Sequence, residues 1–245
     1  MLNADKTEYV IFKHPTKSIV DADIKLSIGG KRIHPSSTIK YLGVYIDSNL
    51  GWKSQIDDVA IKLKRANGAL SKIRHYVPQN ILPQVYYALF HSHLNYCSQV
   101  WGQQTSLAIN RISVLQNNAL RLISFANPRT SASSLFKNLG VLRFKELITV
   151  LNTCFVRDLY HGALPEPLIT TYGIDFSHRF NTRANTRGLI NSRSVRTSTF
   201  GLKSIRHQSI ISWHLSQSAL PHIKLRDLTR SQLKLALKRH FIDTY

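Results

Sequence analysis

Apolar and polar positions alternate over the first fifty residues, then switch to a helical period. The chain therefore reads as a short β segment followed by a larger helical body. Tyr9-Val10-Ile11-Phe12 forms a short apolar strand candidate. Ile24-Lys25-Leu26-Ser27-Ile28 alternates apolar and polar before Gly29-Gly30, and Lys31-Arg32-Ile33-His34 is the return strand. The adjacent glycines supply the positive φ of a tight hairpin turn. Ile39 to Ile46 is a longer β-rich run, ended by Asp47-Ser48-Asn49.

Beyond it, Ile56, Val59, Leu63, Ala66, Leu70 and Ile73 recur at helical spacing, and Pro78 stops that helix. Asn80 and Pro83 open the next helix, whose stripe is Leu82, Val85, Tyr86, Leu89, His93, Tyr96 and Val100. A third helix follows Thr105, with Ala108, Ile112, Leu115, Ala119 and Leu122 inward, and ends before Pro128. Ser133 to Leu139 reads as a short helix closed by Gly140. A long helix from about Arg143 carries Phe144, Leu147, Ile148, Leu151, Phe155 and Leu159 on one face, with Gly162 just past its end. Between Thr170 and Arg206 no period is sustained, and that stretch reads as a long basic loop. Helical signal returns at Ile205–Leu215 and Ser231–Phe241. The expected fold class is α+β, mainly α. Its expected parts are a β segment over 1–49, a helical bundle over 50–162 and a basic, partly ordered helical extension over 163–245.

Charge adds a partner to this picture. The 245 residues hold 33 Lys and Arg against 13 Asp and Glu, a net charge of +20, and the hydrophobic fraction of 43% is enough for a packed core. No acid lies between Val59 and Lys145, a run that contains Lys62, Lys64, Arg65, Lys72 and Arg74. A second acid-free run, Phe176 to Arg226, contains Arg183, Arg187, Arg193 and Arg196. Ordinary surfaces intersperse both signs. Unbalanced cations repel one another and favour a polyanion, and their spread among Tyr, Trp, His and Phe favours nucleic acid over an anionic membrane or an acidic protein. No apolar run approaches the ~18 residues that span a bilayer. The expected setting is intracellular, cytoplasmic or nuclear. Cys97 and Cys154 both fall in apolar helical patterns, as buried free thiols or as a disulfide pair.

Four segments, in order, point to a family. Leu2-Asn3-Ala4-Asp5-Lys6-Thr7 followed by Phe12 resembles the segment after the catalytic Asp-Asp turn of non-LTR retrotransposon reverse transcriptases. Lys40-Tyr41-Leu42-Gly43-Val44-Tyr45-Ile46-Asp47 with Leu50-Gly51-Trp52 looks like their primer grip and the start of the thumb. Leu94-Asn95-Tyr96-Cys97-Ser98-Gln99-Val100-Trp101-Gly102 is similar to a thumb segment of the same enzymes. Phe200-Gly201, Ile205, Ser209-Ile210, Trp213 and Leu220-Pro221 resemble the tail of jockey-like elements, with His214 where Asn is usual.

The resemblance implies the C-terminal part of an RNA-directed DNA polymerase: the end of a palm over 1–49, a thumb over 50–162 and an extension over 163–245. It implies magnesium for the parent enzyme, held by carboxylates upstream of Lys6, and upstream palm and fingers as partners. No cofactor is expected in this chain, which is expected to be inactive by itself. Its nucleic-acid partner would be RNA, an RNA–DNA hybrid or DNA, held through phosphates. The alternative is a non-enzymatic nucleic-acid-binding protein derived from such an element.

Several residues have two readings. By resemblance, Lys6 is a general acid toward leaving pyrophosphate; otherwise it is a solvated lysine. Tyr41, Leu42 and Gly43 are either a primer grip or an ordinary bulged strand. Asp21 and Asp23, two apart on a strand, could share a cation, but the expectation is no metal site. His93 and Cys97 have a usable zinc spacing next to His91 and lack a partner pair, so core packing is the simpler account. Trp52, Trp101 and Trp213 are either base-stacking platforms or core residues. Lys62, Lys64, Arg65, Lys72 and Arg74 fit a thumb helix tracking a phosphate backbone, or else a merely solvated face.

Overall fold

The structure is a computed structural model that describes residues 7–13, 24–104, 106–172, 174, 190, 195, 197 and 201–245. It is α+β and mainly helical. It divides into two compact units, Met1–Val59 and Ala60–Tyr245.

In the first unit, β1 (Ser27–Ile28) pairs antiparallel with β2 (Lys31–Arg32) across Gly29 and Gly30, at φ 57° and 78°. That is the expected hairpin, shortened to two residues a side. The run Ile39 to Ile46 is not one strand. It folds as β3 (Thr38–Tyr41) and β4 (Val44–Asp47), paired antiparallel with Tyr41 opposite Val44. Leu42 and Gly43 form the two-residue turn, both at positive φ (46° and 81°). Such a turn matches the right-handed strand twist. Leucine is an unusual residue there, which is why the turn is hard to see in sequence. Tyr9 makes only an isolated parallel bridge to Pro35. The expected Tyr9–Phe12 strand does not form, since that bridge offers it no ladder.

The hairpin is tied to the start of α1 (Lys53–Ile73) by two polar side chains. The Asp47 carboxylate accepts from the Thr38 hydroxyl at 3.2 Å and from the Ser54 N–H at 3.4 Å. Gln55 Oε1 accepts from the Tyr45 N–H at 2.9 Å. An acceptor at a helix start satisfies one of its orphan donors.

In the second unit, α1 runs parallel to α5 (Ser106–Ile123). The Asn67 amide donates to the Leu115 carbonyl, and the Arg74 guanidinium to that of Leu122, a matching seven-residue step on both helices. Ala60, Leu63, Ala66 and Leu70 are buried, as their spacing requires. Between α1 and α5 the chain forms α2 (Leu82–Tyr86), a π-turn (Tyr87–His91), α3 (Ser92–Asn95) and α4 (Ser98–Trp101). A π-turn inserts a residue into the helical repeat and rotates the next turns about the axis. The buried residues are therefore Leu82, Tyr86, Phe90 and Leu94, four apart, while Leu89 and Tyr96 of the expected stripe are exposed.

α6 (Ala132–Leu139) closes on Gly140 at φ 60°, as expected of a left-handed helix cap. α7 (Phe144–Tyr160) is the central helix and packs against α4, α5, α9 (Ile205–Ala219) and α10 (Arg230–Asp243). Its expected stripe supplies Phe144, Leu147, Ile148 and Leu159, but Val150, Asn152, Thr153, Cys154, Val156 and Asp158 are buried too. A helix enclosed by neighbours buries more than one face. Trp213, Ile210, Leu225, Leu233 and Leu237 form one apolar cluster with Val150, Cys154 and Val156. Here α9 and α10 complete the core around α7. α8 (Glu166–Tyr172) follows Pro165. Ser204 caps α9, and a reciprocal Thr229–Gln232 pair caps α10.

Several polar groups inside this body are paired. Gln116, 1% exposed, donates to Tyr86 Oη and to the Leu142 carbonyl and accepts from the Phe144 N–H, joining α2, α5 and α7. Thr153 and Ser216 share a hydroxyl bond of 2.8 Å, and Asn152 donates to Ser212. Small hydroxyls at 209, 212 and 216 line α9, and those at 212 and 216 bond to α7. The cysteines are free: Cys97 is exposed, and Cys154 is buried with its thiol pushed up to about 11 by desolvation. With both thiols free the disulfide reading falls, and a buried thiol such as Cys154 is inert.

Candidate nucleic-acid interface

The positive charge is concentrated in one unit. Ala60–Tyr245 carries 25 Lys and Arg against six Asp and Glu, whereas Met1–Val59 carries eight against seven. Contacts within the fold sort these cations into two kinds.

One kind is occupied by the protein itself. Arg74 donates to the Leu122 carbonyl at the end of α5 and lies 5.1 Å from the Phe125 ring centroid. Arg121 donates to the Thr130 carbonyl and Arg143 to Ser133 Oγ. Arg157 donates to the Leu228 carbonyl and pairs with Asp158. A planar guanidinium suits such forked contacts to carbonyls and carboxylates.

The other kind faces water. On α1 the buried side holds Leu63, Ala66 and Leu70. The opposite side presents Ile61, Arg65, Gly68 and Lys72 in successive turns, all exposed, with exposed Lys64 on one flank and half-buried Lys62 on the other. Arg111, Arg129, Lys137 and Lys145 are likewise exposed. α10 adds exposed Lys234 and half-buried Lys238, and four residues before Lys234 stands Arg230, exposed but paired with Asp158. An acid-free run does not single out these three, because Asp227 and Asp243 bracket them. Their i, i+4 spacing is the signal that could have found them.

The expected primer-grip residues belong to the first unit. Tyr41 and Leu42, 62% and 73% exposed, form the tip of the β3–β4 hairpin with Gly43. Neither a single strand nor a bulge describes them. Lys40 lies 5.0 Å from the Tyr45 ring centroid. Lys6, Asp21, Asp23, Arg183, Arg187, Arg193 and Arg196 lie outside the described residues.

The tryptophans divide. Trp101 is fully buried, stacked on Phe144 with centroids 5.3 Å apart, and donates to the Tyr96 carbonyl at 3.0 Å. Trp213 is also fully buried, which removes the base-stacking reading for both. Trp52 is half-buried at φ 58°. Several residues of the segment Leu94 to Gly102 thus have a structural role. Leu94 fills the core, Cys97 turns the chain at φ 50° and Trp101 seals α4 against α7. A side chain at Gly102 would collide with Ile148 and the Ser98 carbonyl. His214, at the position where the family pattern has Asn, accepts the Ile190 N–H on Nε2 at 3.0 Å. Its pKa is lowered by desolvation, which keeps it the neutral acceptor that this bond requires.

His91 is lowered by desolvation and by nearby Lys238. Among the described residues no three His, Cys, Asp or Glu side chains gather as metal ligands. Three of the described acids have other work. Asp47 serves the start of α1, Asp158 binds two arginines, and Glu146 accepts from the Arg143 N–H and the Tyr245 hydroxyl. They do not fit the paired magnesium ions implied for the parent enzyme. Among the described residues no helix is long and apolar enough to cross a membrane.

Glu146 stands beside a cleft of about 400 Å³ lined also by Asn110, Asn117, Ser133 and Arg143. Burial raises its pKa from near 4.5 to about 7, against the lowering effect of Arg143. The folded state therefore holds a proton that the unfolded chain releases near pH 4.5. Stability from this group is present at low pH and lost as pH rises to about 7. Chemical denaturation of Glu146→Gln between pH 4.5 and 7.5 is expected to lack that decline. An unchanged pH profile would contradict it.

A scan against protein-family models and searches among curated proteins and solved structures return no match.

Proposed function

We propose that this chain holds a nucleic-acid backbone, as the thumb-bearing C-terminal part of an RNA-directed DNA polymerase of the non-LTR retrotransposon kind. The observation that carries the reading is the excess of cations in Ala60–Tyr245, with Lys64, Arg65 and Lys72 exposed on α1. A point charge on a flexible stem suits phosphates and carries no sequence information. The partner is RNA, an RNA–DNA hybrid or DNA, gripped along its phosphates. The chemistry of the parent family, with its magnesium, falls to carboxylates that this reading places outside the segment.

Salt titration tests it. Lysines and arginines that neutralise phosphates release counterions, so log affinity falls linearly with log salt by roughly 0.9 per duplex phosphate contact. Three contacts from α1 alone would lower affinity for an RNA–DNA hybrid roughly 40-fold between about 50 and 200 mM salt. Each of Lys64→Gln, Arg65→Gln and Lys72→Gln is expected to reduce the slope by roughly one while the unfolding midpoint holds. Arg74→Gln is expected instead to lower stability, since it loses the Leu122 carbonyl. A salt-independent affinity would overturn the proposal.

A further inference from the structure

We infer that Gly68 on α1 is a point of close approach, where the phosphodiester chain of a nucleic acid crosses the helix between Lys64, Arg65 and Lys72. The inference rests on the nucleic-acid reading above and gives that reading a location.

Nothing inside the fold calls for a glycine at this position. Gly68 lies in the interior of α1, which runs on unbroken to either side of it. Apart from proline, glycine is the least favourable residue there, because folding removes more conformational freedom from it than from any other. Its φ is not in the left-handed region. Packing does not require it either. A methyl group built on Gly68 would meet nothing within 4 Å, whereas one on Gly102 would collide with Ile148. Alanine would therefore fit the helix and stabilise it. A glycine that the fold does not need leaves room for something outside the chain.

The surroundings of Gly68 have one chemical character. On a helix surface the neighbours of a residue stand three and four positions away on either side. For Gly68 these are Lys64, Arg65, Ser71 and Lys72, and all four are exposed. Three cations and a hydroxyl thus ring a patch where the helix has no side chain. Lys64 and Lys72 are ~12 Å apart along the axis, close enough for their long stems to lean inward from both ends. The nearest acids on α1, Asp57 and Asp58, stand about three turns back toward its start.

This arrangement favours one kind of polyanion. Exposed cations hold a single free anion weakly, since water and salt screen each contact. A polyanion gains by releasing counterions at every contact. An acidic peptide or an anionic lipid carries its charge on a side chain or headgroup that reaches past a methyl group. A phosphodiester is the main chain of its polymer, so its charge meets the helix only if the polymer itself comes close. Bare backbone at Gly68 admits that approach, and a hydroxyl such as that of Ser71 is a usual donor to phosphate oxygens.

The test fills the gap. Gly68→Ala and Gly68→Leu in the intact chain are titrated with an RNA–DNA hybrid at several salt concentrations. Gly68→Ala is expected to raise the unfolding midpoint by roughly 2–4 °C, and Gly68→Leu not to lower it. Affinity is expected to fall all the same, roughly threefold for alanine and roughly tenfold or more for leucine. Adding Arg65→Gln to Gly68→Leu is expected to cost little further affinity, because the phosphate it served is already displaced. Stability gained together with affinity lost is a result that no internal role of the glycine produces. Unchanged affinity in both variants overturns the inference and leaves the salt-dependent reading standing. A loss of stability in Gly68→Ala also overturns it, since the fold itself would then need the glycine. Salt-independent binding by the unaltered chain overturns both. Phosphatidylserine vesicles or polyglutamate bound with the same sensitivity to Gly68 would overturn the assignment to nucleic acid and give the patch to a membrane or an acidic protein.

Discussion

Replacing Asp158 by alanine is expected to remove about 3–5 kcal/mol of stability, the usual result of breaking a buried ion pair from one side. The Asp158 side chain is 5% exposed and receives Arg157 Nη1 at 3.1 Å and Arg230 Nη1 at 2.9 Å. The two arginines do not contribute equally. Arg230 is 54% exposed and returns to water when its partner is lost, so Arg230→Met should cost under about 1 kcal/mol. Arg157 is 16% exposed and also holds the Leu228 carbonyl, just before α10. Without the carboxylate it becomes an uncompensated buried charge. Urea unfolding measures the difference, and amide exchange in α10 should quicken selectively because the ion pair anchors its first turn. A loss below about 1 kcal/mol for Asp158→Ala would mean that Arg157 finds water, and the anchoring role would fall.

Trp101→Ala is expected to lose a similar ~3–5 kcal/mol, as large-to-small changes in a packed core do. The ring is fully buried, stacked on Phe144 and bonded to the Tyr96 carbonyl. Trp101→Phe separates the two contributions. It keeps most of the apolar contact and leaves the carbonyl without its donor, for a loss of roughly 1–3 kcal/mol. The pair also decides what the segment Leu94 to Gly102 is for. As a packing motif it changes the unfolding midpoint and leaves the salt dependence of nucleic-acid binding alone. If Trp101→Phe kept full stability and lost affinity, the tryptophan would be a contact to nucleic acid.

Element types are legible in the sequence where a local rule governs them. The α1 stripe, the Gly29-Gly30 hairpin and the Gly140 and Gly162 helix ends follow from period and backbone freedom, and each lies where expected. The departures share a cause. Leu42 adopts positive φ despite its side chain, so in sequence its turn looks like the middle of a strand. The π-turn at Tyr87–His91 carries no composition signal, yet it moves Phe90 and Leu94 inward and Leu89 and Tyr96 outward. Both are local irregularities that packing imposes on the chain. α7 departs differently. Its one legible stripe is correct, but neighbours on its other sides bury Asn152, Thr153 and Asp158, polar residues that periodicity assigns to solvent.

The candidate interface is legible as a quantity of charge and not as a surface. All of Lys64, Arg65, Lys72 and Arg74 stand out as cations in an acid-free run. Only contacts distinguish Arg74, bonded to Leu122 and close to the Phe125 ring, from the three exposed residues.

By itself the amino-acid sequence determined the helical body, the β-rich start and the +20 charge, because period, backbone preference and ionisation belong to neighbouring residues or to single ones. The tertiary structure decided which cations are exposed, which tryptophans are core, and that α9 and α10 complete the core around α7. Those outcomes depend on residues some 50 to 100 positions apart, such as Asn152 with Ser212 or Glu146 with Tyr245, and no local pattern encodes which distant group will arrive to desolvate or bond a given side chain.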